Sequence, residues 1–166
     1  PDPAFFLAAH ALLAAGYLIL GARGGDTAWV VAGAASFGLT LLLWQVDHPA
    51  RWQQLLALAT PPYLLHLAYP LLLGGQARED RKPWLAAVVA SVVFFLAARQ
   101  GLLRGGFGDV IGALPVLQAL ALVPLLLRLL RLQPGGERDE GRLVLVAGAI
   151  LAFVTASIPL QLENEW

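Results

Sequence analysis

The sequence predicts an all-α fold, an integral membrane bundle of about six transmembrane helices forming a single domain across residues 1–166. Three observations lead to this prediction: the composition, the length of the apolar runs and the placement of Lys and Arg. Of the 166 residues, 58% are hydrophobic and 13% are charged, whereas soluble domains are about 45–50% apolar and about 25% charged. A soluble domain this apolar would expose large patches and aggregate.

Six apolar runs are each long enough to cross the hydrocarbon core of a bilayer, which takes about 20 residues. Their connectors are too short for a water-soluble domain, and they favour antiparallel packing of consecutive helices. The fourth run is the shortest, so five or seven crossings are alternatives to six. The predicted runs are Pro3–Leu20, Ala28–Val46, Trp52–Leu73, Pro83–Ala98, Phe107–Leu130 and Leu143–Leu162.

Residues that start and stop helices separate these runs. Asp26 or Thr27 can cap the second helix by accepting hydrogen bonds from its free N–H groups. Asp47 is a candidate cap of the third helix, with Pro49 in its first turn. Residues 100–106 form a Gly-rich fourth connector.

Lys and Arg are retained on the cytoplasmic side of a membrane, so their distribution predicts orientation. The distribution of Lys and Arg predicts that loops 74–82 and 133–141 are cytoplasmic and that both termini lie outside. The predicted location is the cell inner (plasma) membrane, which the chain crosses several times. The five Trp residues lie near the ends of the runs, as in the aromatic belts at headgroup level. One face gathers eight basic residues, Arg23, Arg78, Arg81, Lys82, Arg128, Arg131, Arg138 and Arg142, and the other has three, Arg51, Arg99 and Arg104.

Several function classes are disfavoured by what the sequence lacks. The formal net charge is zero, so there is no basic surface for nucleic acid. The chain has no Cys and therefore no thiolate nucleophile or metal ligand. No motif of a catalytic site was found, so the protein is more readily interpreted as a non-enzyme, with no catalytic residue, metal or cofactor expected.

Polar side chains inside the predicted runs are few, and buried polar groups are where function in a membrane usually resides. The candidate cavity or packing residues are His10, His66, Gln118, Thr155 and Gln161. The two His residues could ligate a haem, but their depths differ by roughly 10 Å at 1.5 Å per residue. We therefore expect both to hydrogen-bond to neighbouring helices.

Three further residues near a predicted membrane surface, Arg99, Arg104 and Asp109, are candidate interfacial groups. If they converge, an enzyme acting on lipid headgroups is favoured. Pro159 interrupts the sixth helix and frees a backbone carbonyl one turn earlier. We expect Thr155 and Gln161 beside this break to face other helices or a hydrated cavity, because bare polar groups are costly in hydrocarbon. Small residues such as Gly33, Gly38 and Gly148 predict close helix packing.

The chain resembles an uncharacterised family of large bacterial polytopic predicted membrane proteins, a domain of unknown function. Phe5–Leu7, Leu43–Trp44 and Leu64–Leu71 are similar to that family, and the resemblance is strongest in Ala152–Leu162 followed by Trp166. Family members are much longer, so the resemblance implies an internal segment of a larger protein. It implies no activity and no catalytic residue.

The sequence thus predicts a polytopic membrane segment of unknown activity, either structural or handling a lipid or another envelope component. The alternatives are the core of a small-solute transporter or channel and, less favoured, a membrane enzyme acting on a lipid-linked substrate. The expected partners are membrane lipid and the remaining helices of the parent protein or other membrane subunits. Arg outnumbers Lys ten to one, which with abundant Ala, Leu and Gly is typical of a GC-rich and thermophilic bacterial source.

Overall fold

The computed structural model of the protein describes residues 2–24, 26–72, 80–132 and 140–162. Within these ranges the chain is helical and has no β-strand, which confirms the all-α bundle. Residues 74–79 and 133–139 of the predicted cytoplasmic loops, and Trp166, lie outside the described residues. The six long helices are α1 (Pro3–Gly24), α2 (Ala28–Asp47), α3 (Trp52–Leu72), α4 (Lys82–Arg104), α5 (Ala113–Leu132) and α6 (Glu140–Leu162).

All six helices are long and apolar enough to cross a membrane. The fourth, predicted as the shortest, has 23 residues because the helix continues past Ala98 to Arg104. Hydropathy ends a run at the first polar residues, but Arg and Gln are good helix formers and extend the backbone helix. The helix stops where Gly106 adopts φ 80°, a left-handed conformation that suits glycine.

Four helices form a closed group in which α1 packs on α2 and α3, and α4 packs on α2 and α3. The remaining two, α5 and α6, form a hairpin beside α3 and α4. Consecutive helices are therefore the main neighbours for α1–α2, α3–α4 and α5–α6. Although the connector between α2 and α3 is short, these two helices have few contacts, because α2 packs mainly against α1 and α4.

Small residues on α2 allow this close approach, as the sequence predicts. A Cβ added to Gly33 would lie 2.8 Å from Cβ of Tyr17 on α1, and one added to Gly38 would lie 2.8 Å from Cγ2 of Val93 on α4. On α6, by contrast, a Cβ at Gly148 meets nothing within 4 Å. Gly148 therefore does not serve close packing against a described part of the chain.

Side-chain contacts define two ends of the bundle. At the first, the Asp80 end, the Thr27 hydroxyl donates a hydrogen bond to Asp80, and Lys82 pairs with Asp26 at 3.8 Å. The connectors that follow α1 and α3 are thereby held together. Burial by itself raises the pKa of Asp80, but hydrogen bonds from Lys82 N–H and Thr27 together with the Lys82 charge outweigh it and hold this pKa below its usual 3.8.

At the opposite, Arg51 end, Arg51 pairs with Asp2 at 3.2 Å, and Arg104 donates to the Gln45 carbonyl at 2.9 Å. The start of α1, the end of α2 and the end of α4 therefore share this end, as alternating helices require. Asp47, predicted as a cap of α3, is instead the last residue of α2. Asp26 does accept a hydrogen bond from the Ala28 N–H at 2.9 Å.

The Trp residues divide between the interior and the surface. Trp84 is fully buried and Trp44 is only 3% exposed, so these two rings pack inside the protein. Trp29 is 48% exposed and stacks on Tyr17. Among the described Trp residues, Trp29 and half-buried Trp52 can therefore contact lipid, whereas Trp44 and Trp84 pack inside the protein; the headgroup level of all four stays a prediction.

Candidate functional site: a groove between α1 and α2

A groove of about 550 Å³ runs along the outer side of the α1–α2 pair. It extends from the Arg51 end, where α2 finishes at Asp47, to Ser36, roughly 16 Å deeper at 1.5 Å per residue. Exposed Leu39 and Leu43 line its open side. The groove thus opens sideways, away from the helix core. Its walls are Phe6 and His10 of α1 with Ser36, Leu39, Thr40, Leu43, Trp44, Asp47 and His48 of α2 and the turn after it.

The mouth of the groove is polar and aromatic. Asp47 is exposed, and His48 stacks on Trp44 with ring centroids 4.9 Å apart. The backbone N–H of His48 donates to the Trp44 carbonyl at 2.9 Å, which caps the end of α2. The Nδ1 atom of His48 is buried and has no hydrogen-bond partner.

Deeper in the groove, the side chains of His10, Ser36 and Thr40 supply polar atoms between apolar walls. The ring of His10 packs on Phe6 at 4.2 Å, and its Nδ1 lies 2.9 Å from the Phe6 carbonyl. Because a carbonyl only accepts, Nδ1 carries the proton and Nε2 is left as an acceptor. The Thr40 hydroxyl donates to the Ser36 carbonyl at 3.0 Å, so its oxygen is likewise left to accept.

Acceptors therefore outnumber donors along the groove. Nε2 of His10, the Thr40 oxygen and the Asp47 carboxylate accept, and the exposed Ser36 hydroxyl can do either. Such a set matches a ligand that brings its own hydroxyl or amine donors.

A second polar cluster lies in the core and joins three helices. The Tyr63 hydroxyl of α3 donates to Oε1 of Gln118 on α5 at 2.7 Å, and it also interacts with Ser91 of α4. His66, 1% exposed, donates from Nδ1 to the Pro62 carbonyl at 2.7 Å, and its Nε2 has no partner. The cavity beside Tyr63 and His66 has about 10 Å³, which is room for about one water molecule.

The two predicted His residues are thus placed in different sites. Each hydrogen-bonds through Nδ1 to a carbonyl of its own helix, so the expected bond to a neighbouring helix is wrong for this atom of both residues. His10 lines the outer α1–α2 groove, whereas His66 faces a small cavity enclosed by α2, α3 and α4. Within the described ranges, no three His, Asp or Glu side chains come together as a metal site.

The two predicted residues near Pro159 are both exposed, but they have different surroundings. Thr155 is exposed and donates to the Leu151 carbonyl at 2.8 Å. Gln161 is exposed but leans on the start of α5, since a Cβ on Gly112 would overlap Oε1 of Gln161 and lie 3.0 Å from its Cβ. Gln161 therefore has a protein neighbour, and whether Thr155 faces another helix stays a prediction.

The three candidate interfacial residues have separate surroundings. Arg104 closes the end of α2 through the Gln45 carbonyl. Half-buried Arg99 lies more than one turn earlier on α4, and exposed Asp109 lies in a short 3-10 turn, Gly108–Val110. No hydrogen bond or ion pair links these three side chains in the part of the chain that is described.

Of the groove residues, only His10 is a candidate cavity residue by sequence, and Asp47 is predicted there as a helix cap. Ser36, Thr40, Leu43 and Asp47 recur at intervals of four, three and four residues, which is the spacing of one helix face. Three polar residues at this spacing in a mainly apolar helix are a signal that was available in the sequence. No protein-family model, curated protein or solved structure matches the chain. The family resemblance of the sequence stays a prediction.

Proposed function

We propose that this membrane domain binds an amphipathic lipid or another envelope component in the α1–α2 groove. The observation that supports this proposal is a lateral opening that combines apolar walls with polar atoms near one end of the bundle. A lipid placed there has its headgroup near Asp47 and His48 and its acyl chain against Leu39 and Leu43. The surplus of acceptors favours a headgroup with hydroxyl or amine groups, such as glycerol, a sugar or ethanolamine.

Two features make transport and enzyme roles less favoured. The central cavity beside His66 has about 10 Å³, which is too small for any solute larger than water. Arg99, Arg104 and Asp109 do not form a joint site, and Arg104 is engaged by the Gln45 carbonyl. The outer groove is larger and more polar, so lipid handling is the function that it supports best.

Filling the groove is expected to reduce lipid binding. Ser36→Phe places an aromatic ring in the groove from an exposed position, so the fold should survive. We expect an affinity loss of about tenfold or more for a lipid with a hydroxyl-bearing headgroup, corresponding to about 1.4 kcal/mol. Titration of the purified protein with a neutral glycolipid, which carries hydroxyl groups and no phosphate, followed by native mass spectrometry, measures this loss.

Matched variants separate the groove from general surface effects. Ala32→Phe adds the same ring one turn earlier on α2, at an exposed position outside the groove, and should leave binding unchanged. Thr40→Val should weaken binding more than Thr155→Val, since both hydroxyls donate to the carbonyl four residues earlier but only Thr40 lines the groove. Equal effects of Ser36→Phe and Ala32→Phe would contradict the proposal.

We further propose that the Asp80 end is cytoplasmic and the Arg51 end is external, in the inner (plasma) membrane. The support is the basic bias of the Asp80 end. Because the chain has no Cys, single Cys residues report orientation directly. In intact cells, Ala50→Cys should react with an impermeant thiol reagent, and Ala28→Cys should react only after permeabilisation. The reverse pattern would overturn the orientation and leave the groove proposal intact.

A further inference from the structure

A second cavity lies at the Asp80 end, on the far side of the bundle from the mouth of the α1–α2 groove. It measures about 270 Å³ and is formed by one face of α5 together with the end of α3. On α5, Pro124, Leu127, Arg128 and Arg131 follow the spacing of a single helix face. Leu71 of α3 forms the opposite wall. We call this space the Arg128 cavity.

Two guanidinium groups line the Arg128 cavity, and no carboxylate of the described residues lines it with them. Arg128 and Arg131 are three residues apart, so they lie next to each other on the helix surface. Neither forms an ion pair with a described acidic residue, although Asp26 and Asp80 lie at the same end. Two adjacent like charges are unfavourable unless an anion compensates them.

Arg128 also has an unused donor. Its Nε atom is buried and has no hydrogen-bond partner, while the rest of the side chain is half-buried. An unsatisfied buried donor on a charged group is costly. A phosphate in the cavity can accept from the terminal nitrogens of the two guanidinium groups, whose planar forks match its oxygens.

From this geometry we infer that the Arg128 cavity binds the phosphate of an anionic phospholipid headgroup. Arg128 lies one turn before the end of α5, where an apolar helix meets the headgroup layer. Leu71 and Leu127 beside the two Arg residues provide apolar contact for the adjoining acyl chain. Basic cavities between transmembrane helices are known to hold anionic headgroups in this manner. The site is separate from the α1–α2 groove and does not depend on its function.

Lipid titrations followed by native mass spectrometry test this inference. Phosphatidylglycerol and phosphatidylcholine with identical acyl chains are compared on the wild-type protein and its Arg131→Gln, Arg128→Gln and Arg128→Lys variants. Wild type should prefer phosphatidylglycerol. Each Gln variant should lose about tenfold or more of that preference, the effect of one charge-assisted hydrogen bond. Arg128→Lys should recover it only in part, because Lys keeps the charge but lacks the fork.

Arg23→Gln is the matched control, since Arg23 is an exposed cation at the same end that does not line the cavity. It should leave the preference unchanged. Arg131 is exposed, so its variant should fold even if an Arg128 variant does not. An equal loss in Arg23→Gln would reduce the effect to general surface charge and overturn the site. Full displacement of the lipid by inorganic phosphate at matched ionic strength would overturn the assignment to a lipid.

Discussion

Gly38→Leu is expected to destabilise the bundle by about 3 kcal/mol or more. Gly38 is buried where α2 meets α4, and even a Cβ there would lie 2.8–3.2 Å from three atoms of Val93. A leucine adds three further carbons, and α2 must move away from α4 to admit them. Overpacking of a close-packed interior costs about 1–3 kcal/mol and occasionally more. Unfolding of the purified protein by sodium dodecyl sulfate in mixed micelles measures the change.

Gly148→Leu provides the control for this prediction. It introduces the same side chain into the middle of another transmembrane helix, where a Cβ meets nothing within 4 Å. Its effect on the unfolding free energy should stay within about 0.5 kcal/mol. Gly38→Ala and Val93→Ala should also be coupled, with Val93→Ala relieving part of the cost of Gly38→Ala. Similar losses from Gly38→Leu and Gly148→Leu would show that the α2–α4 contact does not set the effect.

The fold was predictable because a membrane leaves few alternatives for a chain this apolar. Buried backbone groups need internal partners in hydrocarbon, so apolar runs of this length become helices. The helix pairs were less predictable, as the positions of α2 and α3 illustrate. A connector limits how far apart two helices can lie, but the small residues of α2 determine that α1 and α4 are its closest neighbours.

The candidate site was predictable only in part. His10 stood out as a polar residue in an apolar helix, but Asp47 and His48 lie in what reads as a connector. Their place at the mouth of the α1–α2 groove depends on α2 extending to Asp47 and on His48 folding back onto Trp44. The burial of Trp44 and Trp84 was not predictable for a similar reason. Hydropathy locates a residue along the membrane normal but does not tell whether it faces lipid or protein.

Tyr63→Phe is expected to destabilise the protein by about 1–2 kcal/mol. The change removes the hydroxyl that bonds Oε1 of Gln118 at 2.7 Å and leaves this oxygen in a buried position without its donor. An unsatisfied buried polar group costs about 1–3 kcal/mol, and interhelical hydrogen bonds in membranes average about 0.6 kcal/mol with a maximum of about 1.7. The same detergent unfolding measurement applies. Tyr17→Phe is the control, because the Tyr17 hydroxyl makes no hydrogen bond within the described residues.

A double-mutant cycle that combines Tyr63→Phe with Gln118→Leu tests whether water hydrates the Tyr63–Gln118 hydrogen bond. If Tyr63 and Gln118 depend on each other, Tyr63→Phe combined with Gln118→Leu should cost less than the sum of the two single changes, since no polar atom of the pair is then left bare. Gln118→Leu alone should cost less than Tyr63→Phe, because the Tyr63 hydroxyl retains its interaction with Ser91. If both single changes were neutral and additive, water would be satisfying both side chains. A hydrated passage between α3, α4 and α5 would then favour transport over the lipid-handling role proposed for the α1–α2 groove.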